Sequence, residues 1–217
     1  MNLVNNIGQR LDLRTDLVLR YRFQETSGDA KDSSGNDYNG TVTGATQTIN
    51  GVDIDGVNDE ISNTAAALLT ALENISVFTI FIRCSAPSLQ ATDCFFSFGE
   101  SNDNDAFALY PYSSNGADGL QIWYDGEYIM QAVGDAPADD SMNDFVFRSS
   151  SATDHEAFVN GVSEATATDN KSTATSMEGV TVGRYIGNGE WGEGVVKELI
   201  IWTRALTDEQ ITYLSQR

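Results

Sequence analysis

Apolar residues recur along the chain in short runs, many of them about 10–12 residues apart, which is the rhythm of antiparallel strands in a sandwich or barrel. The stretch "SVFTIFIRCSA" alternates, with Phe78, Ile80, Ile82 and Cys84 on one face and Val77, Thr79, Phe81 and Arg83 on the other. "CFFSFGE", "AFALYPY", "GLQIWYD", "EYIMQAV", "DFVFRSS", "EAFVNGV" and "GVTVGRY" continue the series. Strands are also predicted at Leu17–Phe23, near Thr48–Ile54 and near Glu60–Ser62. Asp, Asn, Ser, Thr and Gly crowd the gaps, and Asp125-Gly126 and Asn160-Gly161 are tight hairpin signals. Helical signals are fewer. "NTAAALLTALEN" predicts a short helical patch on a loop. Thr207 stands three residues before Gln210, the spacing of a capping box that opens a C-terminal helix. Residues 1–16 lie outside the alternating pattern. Their Leu3, Val4, Ile7, Leu11 and Leu13 are too few to bury alone, so an anchoring arm over 1–16 and a sandwich domain over 17–217 are expected. The arm is expected to lie apart from the sandwich and to contact other protein subunits.

With 217 residues, 41% of them hydrophobic and 20% charged, the chain is long enough for one large β domain with a full core. Its formal net charge of −20 sets 32 acidic against 12 basic residues. A field of that sign repels phosphate backbones and anionic membranes, so nucleic acid is not an expected partner. It fits either cation or basic-partner binding or, as the simpler account, a surface that stays hydrated at high ionic strength. No segment reaches the roughly 20 apolar residues of a membrane helix, and no membrane insertion is expected. "MNLVNNIGQRLDLRTD" lacks a basic region followed by an apolar one, so synthesis in the cytoplasm without a secretory signal is expected. Cys84 and Cys94 flank "SAPSLQATD" and are read as two buried thiols in preference to a cross-hairpin disulfide.

Five stretches, in order, carry a resemblance to a known family. "LVLRYRFQETSGDAKDSSGNDYNGTVTGA" holds an opening strand, an Asp-Ser-Ser-Gly-Asn turn and an asparagine-glycine step. "GVDIDGVNDEIS" is similar to a Phe-Asp-Gly-x-x-Asp segment, with Ile54 in the aromatic place. "FTIFIR" is similar to a Phe-Thr-Ile strand, with Arg83 where a tryptophan is common. "EAFVNGV" is similar to a tyrosine-valine-asparagine-glycine hairpin, and "GEGVVKELIIWTRALTDEQI" to a closing strand and helix. Together they resemble the laminin-G-like, concanavalin A-like lectin/glucanase domains over residues 17–217. The resemblance implies an all-β, two-sheet antiparallel jelly-roll sandwich with one curved, often ligand-binding face. It also often implies a structural Ca²⁺ that draws on an aspartate of the closing strand, in a Gly-x-Ile-Asp-x-Val pattern. That position is Lys197, one of only three lysines. An ammonium group has no lone pair to offer calcium, so no metal is expected at the family site. Lys197 is expected to stand in for the ion and to pair with acceptors of the opening turn such as Asp32.

Catalytic chemistry finds little support. Glycan hydrolases of this fold set carboxylates on alternate residues of one strand, and no Glu-x-Asp-x-x-Glu pattern occurs. Glu190 and Glu193 are close in sequence but sit in the glycine-bounded "EWGEG". The lone His155 is read as a surface or packing residue, so the chain is not expected to be an enzyme. Binding chemistry has more material. Tyr110 and Tyr112 share one strand face, as do Trp123, Gln121 and Asp125, with Tyr124, Tyr128 and Trp191 nearby. Each aromatic can be core or surface. As a set beside polar loops, Tyr110, Tyr112, Trp123, Tyr128 and Trp191 are the candidate glycan-binding residues, because sugar C–H faces stack on aromatics while amides and carboxylates take hydroxyls. No cofactor is expected, although Asp103 and Asp105, with Asn102 and Asn104, offer alternating oxygens to Ca²⁺. The expected function is a non-catalytic interaction module, a structural, decoration or fibre-type protein on the surface of a viral particle with a glycan-binding outer face. The alternative is a soluble or secreted, hence extracellular, carbohydrate-binding module.

Overall fold

A computed structural model describes residues 12–86, 94–101, 106–114, 117–124, 126–133, 141–187 and 189–217. These form two antiparallel sheets packed face to face. The back sheet has eight strands, ordered β13 (Val162–Ala167), β12 (Asp154–Val159), β11 (Asn143–Ser151), β6 (Phe78–Ser85), β15 (Glu193–Trp202), β4 (Gly51–Asp55) and β3 (Thr46–Thr48), with β1 (Leu17–Tyr21) also pairing with β15. The front sheet has seven, ordered β10 (Glu127–Val133), β9 (Ala117–Tyr124), β8 (Ala106–Ser114), β7 (Phe96–Gly99), β14 (Gly179–Val182), β5 (Glu60–Asn63) and β2 (Thr41–Thr43). Two helices are described, α1 (Ala66–Leu72) and α2 (Asp208–Ser215). This is the two-sheet antiparallel sandwich the sequence predicts.

The period-two pattern builds the core directly. Phe78, Ile80, Ile82 and Cys84 of β6 point inward together with Phe145 and Phe147 of β11 and Leu199 and Ile201 of β15. Phe96 and Phe98 of β7, Phe107 and Leu109 of β8, and Ile122 and Tyr124 of β9 meet them from the front sheet. Phe78 lies edge-on to Phe98, Phe107 and Tyr124, with ring centroids 5.9, 6.0 and 6.1 Å apart. Such edge-to-face pairs add to area burial and fix how the sheets register. His155 is fully buried here. Its Nδ1 lies 3.0 Å from Ser149 Oγ, its Nε2 lies 2.9 Å from the Asp169 carbonyl, and its ring stacks on Phe147. It is a packing residue.

Part of the outer face of the back sheet is covered by α2 and the residues that lead into it. Phe81, Val146, Phe158, Ile200 and Trp202 form a second apolar cluster with Leu206, Ile211 and Leu214, so α2 lies across the strands. Its start is fixed by the predicted capping box, in which Thr207 accepts from Gln210 N and the Gln210 side chain accepts from Thr207 N. Of the expected arm, residues 12–16 are described, and they run against this layer. Trp202 Nε1 donates to the Leu13 carbonyl at 2.9 Å, Thr203 N donates to Asp16 O at 3.0 Å, and Leu13 packs on the cluster. Residues 1–11 lie outside the described residues.

Lys197 does not stand in for an ion at the opening turn. Val196 pairs with Cys84 and Glu198 with Arg83, so two steps on β15 match one step on β6 and Lys197 is the extra residue of a bulge. Its side chain is exposed and, among the described residues, reaches no acceptor of the opening turn. Asp32 needs no such cation. Its carboxylate accepts from Arg20 N, Ser34 N, Ser34 Oγ and Tyr38 N at 2.7–3.1 Å, which makes it the hub of a turn satisfied by donors of that turn and β1. Cys84 faces the core, whereas Cys94 lies with a cluster on the outer side of the front sheet; both thiols are free and buried. Burial pushes both thiols above their ordinary pKa.

Candidate functional site

The outer face of the front sheet carries the residues left over by the core alternation. Ala106, Ala108 and Tyr110 of β8, Ser97 of β7, Gln121 and Trp123 of β9, and Thr181 of β14 belong to it. Ala108 is opposite Trp123, Tyr110 is opposite Gln121, and Trp123 is opposite Tyr128 on β10. Small residues at 106 and 108 leave space on the face, and the connection from β14 to β15 fills part of it.

That connection, described over 183–187 and 189–192, folds back as a hairpin-like strap. Tyr185 N donates to Glu190 O at 2.8 Å and Gly192 N to Gly183 O at 3.0 Å, and Arg184 bridges to Trp191. It is tied down from below, since Ser97 Oγ accepts from Ile186 N at 2.8 Å and Thr181 Oγ1 donates to the Arg184 carbonyl at 2.8 Å. The sharp entry needs glycine. Gly183 has φ 85° and a Cβ there would meet Asp59 O at 2.9 Å. Under the strap, Tyr185, Ile186, Cys94 and Tyr110 form a third apolar cluster with Trp123 against its edge.

Two flanks result. On the β8–β10 side, Tyr128 is 48% exposed and its ring lies edge-on to the half-buried Trp123, centroids 4.8 Å apart. Trp123 Nε1 meets no acceptor among the described residues. On the β14–β5 side lies a groove of about 300 Å³ bordered by Glu60, Ser62, Glu178, Thr181 and Arg184. Arg184 Nη1 donates to Glu60 Oε2 at 2.8 Å, and the guanidinium sits 5.4 Å from the Trp191 ring centre. One flank is aromatic and the other is lined by ionic and hydroxyl groups.

The structure therefore brings Tyr110, Trp123, Tyr128 and Trp191 to one face, with different roles. Tyr110 is not a stacking surface. Only 2% of it is exposed, and its hydroxyl donates to Glu190 Oε2 at 2.8 Å. Burial first, then the neighbouring Cys94 and Glu190, push its phenol far above the ordinary value, so it stays a neutral donor that anchors the strap. Tyr124 points into the core. Tyr112 pairs through its backbone with Gly119, and its side chain lies outside the described residues, as do Asp125 and the Asn102–Asp105 loop. Glu190 is held by Tyr110 while Glu193 is exposed on β15. Arg184, Tyr185 and Glu60 were not singled out from the sequence. The available signal was the Gly-Arg-Tyr step at the end of "GVTVGRY", where a strand runs straight into a glycine.

A family model described as the concanavalin A-like lectin/glucanases superfamily matches residues 55–212, and the chain belongs to that superfamily. Its structure is similar to domain 4 of AbnA, an extracellular arabinanase from Geobacillus stearothermophilus solved with arabinotriose. The TM-score is 0.74 at 19% identity, over 93% of this chain and 98% of that one. It is similar to the carbohydrate-binding module, CBM40, of the Ruminococcus gnavus IT-sialidase, with a TM-score of 0.59 at 17% identity over 76% and 96%. It also matches Trypanosoma rangeli sialidase, with a TM-score of 0.67 at 16% identity, but spans only 32% of that protein. No curated protein matches by sequence. At these identities the likeness establishes a shared lectin-like fold, one that carbohydrate-binding modules use.

Proposed function

We propose that the chain is a non-catalytic glycan-binding module whose ligand lies on the outer face of the front sheet, against Tyr128 and Trp123 and alongside the strap. The observation that carries this is the half-exposed Tyr128–Trp123 pair on a face otherwise furnished with hydroxyl, carboxylate and guanidinium groups. An aromatic surface offers stacking to sugar C–H groups, and the polar flank offers partners to ring hydroxyls. The arabinanase domain solved with arabinotriose and the sialidase module solved with α2,3-sialyllactose support the class of ligand. Glycoside cleavage needs an acid and a second carboxylate across the bond. Here Glu190 is engaged by Tyr110 and Glu60 by Arg184, which suits binding rather than hydrolysis. The reading requires no cofactor. Its test is a glycan array probed with the intact protein: enrichment of one saccharide class is expected, and a blank array contradicts the proposal.

A place on the surface of a viral particle is a second reading, resting on the net charge of −20 and on the N-terminal segment. Since residues 12–16 dock on the body, the anchor to other subunits is confined in this reading to residues 1–11. Mass spectrometry of purified particles tests it; the alternative places the same module outside the cell as a secreted protein.

A further inference from the structure

The back sheet carries a feature at odds with the rest of the molecule. Beyond the end of α2, Arg20, Arg22, Arg83, Lys197 and Arg217 converge on one depression of about 420 Å³, with Glu198 on its wall. The whole chain has only 12 basic residues, so five meet at one place on a strongly acidic protein. Folding alone accounts for part of this. Arg83 holds Asp144 with two contacts of 2.6 and 2.8 Å and donates to the Leu214 carbonyl at the helix end, where cations are favoured. Arg20 and Arg217 share Glu198, at 2.7 and 3.0 Å. Arg22 and Lys197 are both exposed and have no partner among the described residues. Against Glu198 and Asp144, the side-chain anions that these arginines hold, five cations face two anions. Crowding is visible at Arg217 itself. Burial and the like charges of Arg20 and Arg83 hold its guanidinium below the ordinary value, although Glu198 opposes them.

The geometry points to a second binding site in this depression, for a carboxylate or sulfate group carried on a small organic skeleton such as an acidic sugar. Guanidinium forks match the planar oxygens of these groups and bind them through charge-assisted hydrogen bonds. Lys197 is placed for this role by the bulge that turns it away from the sheet ladder. Ile49, 69% exposed at the rim, gives the carbon skeleton an apolar contact that a bare ion would not use. The volume suits one or two monosaccharide units. This site goes beyond the glycan face, since the two lie on opposite sheets.

The test titrates the intact protein by calorimetry at fixed ionic strength with glucuronate, with inorganic sulfate and with neutral glucose. Glucuronate is expected to bind, sulfate more weakly, and glucose not at all. The Arg22→Ala/Lys197→Ala variant, which removes only exposed unpaired side chains, should bind glucuronate roughly tenfold or more weakly. Arg22→Lys/Lys197→Arg should restore binding. Equal affinity for sulfate and glucuronate keeps the anion site but reduces its ligand to a free oxyanion. Trp123→Ala should leave the titration unchanged, so failure of the glycan face and failure of this site are separable. No binding of either anion, or the same affinity in parent and double alanine variant, overturns the inference.

Discussion

The two outer faces of the sandwich start from the same alternation and end differently. Each places a tryptophan on its outer side. Trp202, on the back sheet, is 1% exposed under α2 and donates its Nε1 hydrogen to the Leu13 carbonyl. Trp123, on the front sheet, is half-buried, keeps an exposed tyrosine at its edge, and has an Nε1 without an acceptor among the described residues. Around Trp202 the back face is covered by the chain's own helix and residues 12–16, and it opens only beyond the end of α2. The front face is only partly covered, by a strap that is pinned to Ser97 and Thr181 and leaves a flank on each side. Where its own chain covers a sheet face the packing serves stability; where aromatic and polar groups stay in the open the face has surface to give to a partner.

The largest expected effect breaks that contrast at its root. Trp202→Ala should cost about 3–5 kcal/mol, because it empties a fully packed layer and strands the Leu13 carbonyl. Trp123→Ala should cost only about 1 kcal/mol, typical of a partly exposed position. Urea unfolding of both variants measures the difference, and equal losses would mean the front face is also core. A smaller effect concerns Asp59, which is 7% exposed and accepts from Asp55 N at 3.0 Å. Burial first, then the charges of Asp55 and Asp53, raise its carboxyl above the ordinary value. The folded state therefore holds this proton more tightly than the unfolded state, and stability falls as pH rises through the titration. Asp59→Asn should melt above the parent at pH 7, with the gap closing as pH drops below the ordinary aspartate value. A gap that persists at pH 3 would show that charge is not its cause.

Much of the frame was legible in sequence because its signals are local. Alternation in β6 sorted Phe78, Ile80 and Ile82 from Thr79, Phe81 and Arg83, and Thr207 with Gln210 announced α2. The strands that escaped notice, β2 and β3, are polar and largely exposed, with sequences TVT and TQT, and the polar β13, VSEATA, was announced only by the Asn160-Gly161 hairpin signal before it. They exist because a neighbouring strand offers unpaired backbone groups, which no apolar pattern records. Lys197 was misjudged for a related reason. A bulge shifts which residue faces which side, and bulges are set by pairing with a distant strand. The aromatic residues of the site were legible as residues but not as roles. Tyr110 and Trp123 look equivalent along the chain, and only the strap from residues 183–192 buries one and spares the other.

The most direct test of the account is the affinity of the Trp123→Ala/Tyr128→Ala variant for the saccharide that the array identifies. Calorimetry on folded protein should give roughly a tenfold or larger loss, since aromatic truncation at the centre of a site commonly costs 2 kcal/mol or more. A parallel double substitution at Arg22 and Lys197 should leave that affinity unchanged. Undiminished binding by the aromatic variant, with its fold intact, would contradict the assignment of the front face as the glycan surface.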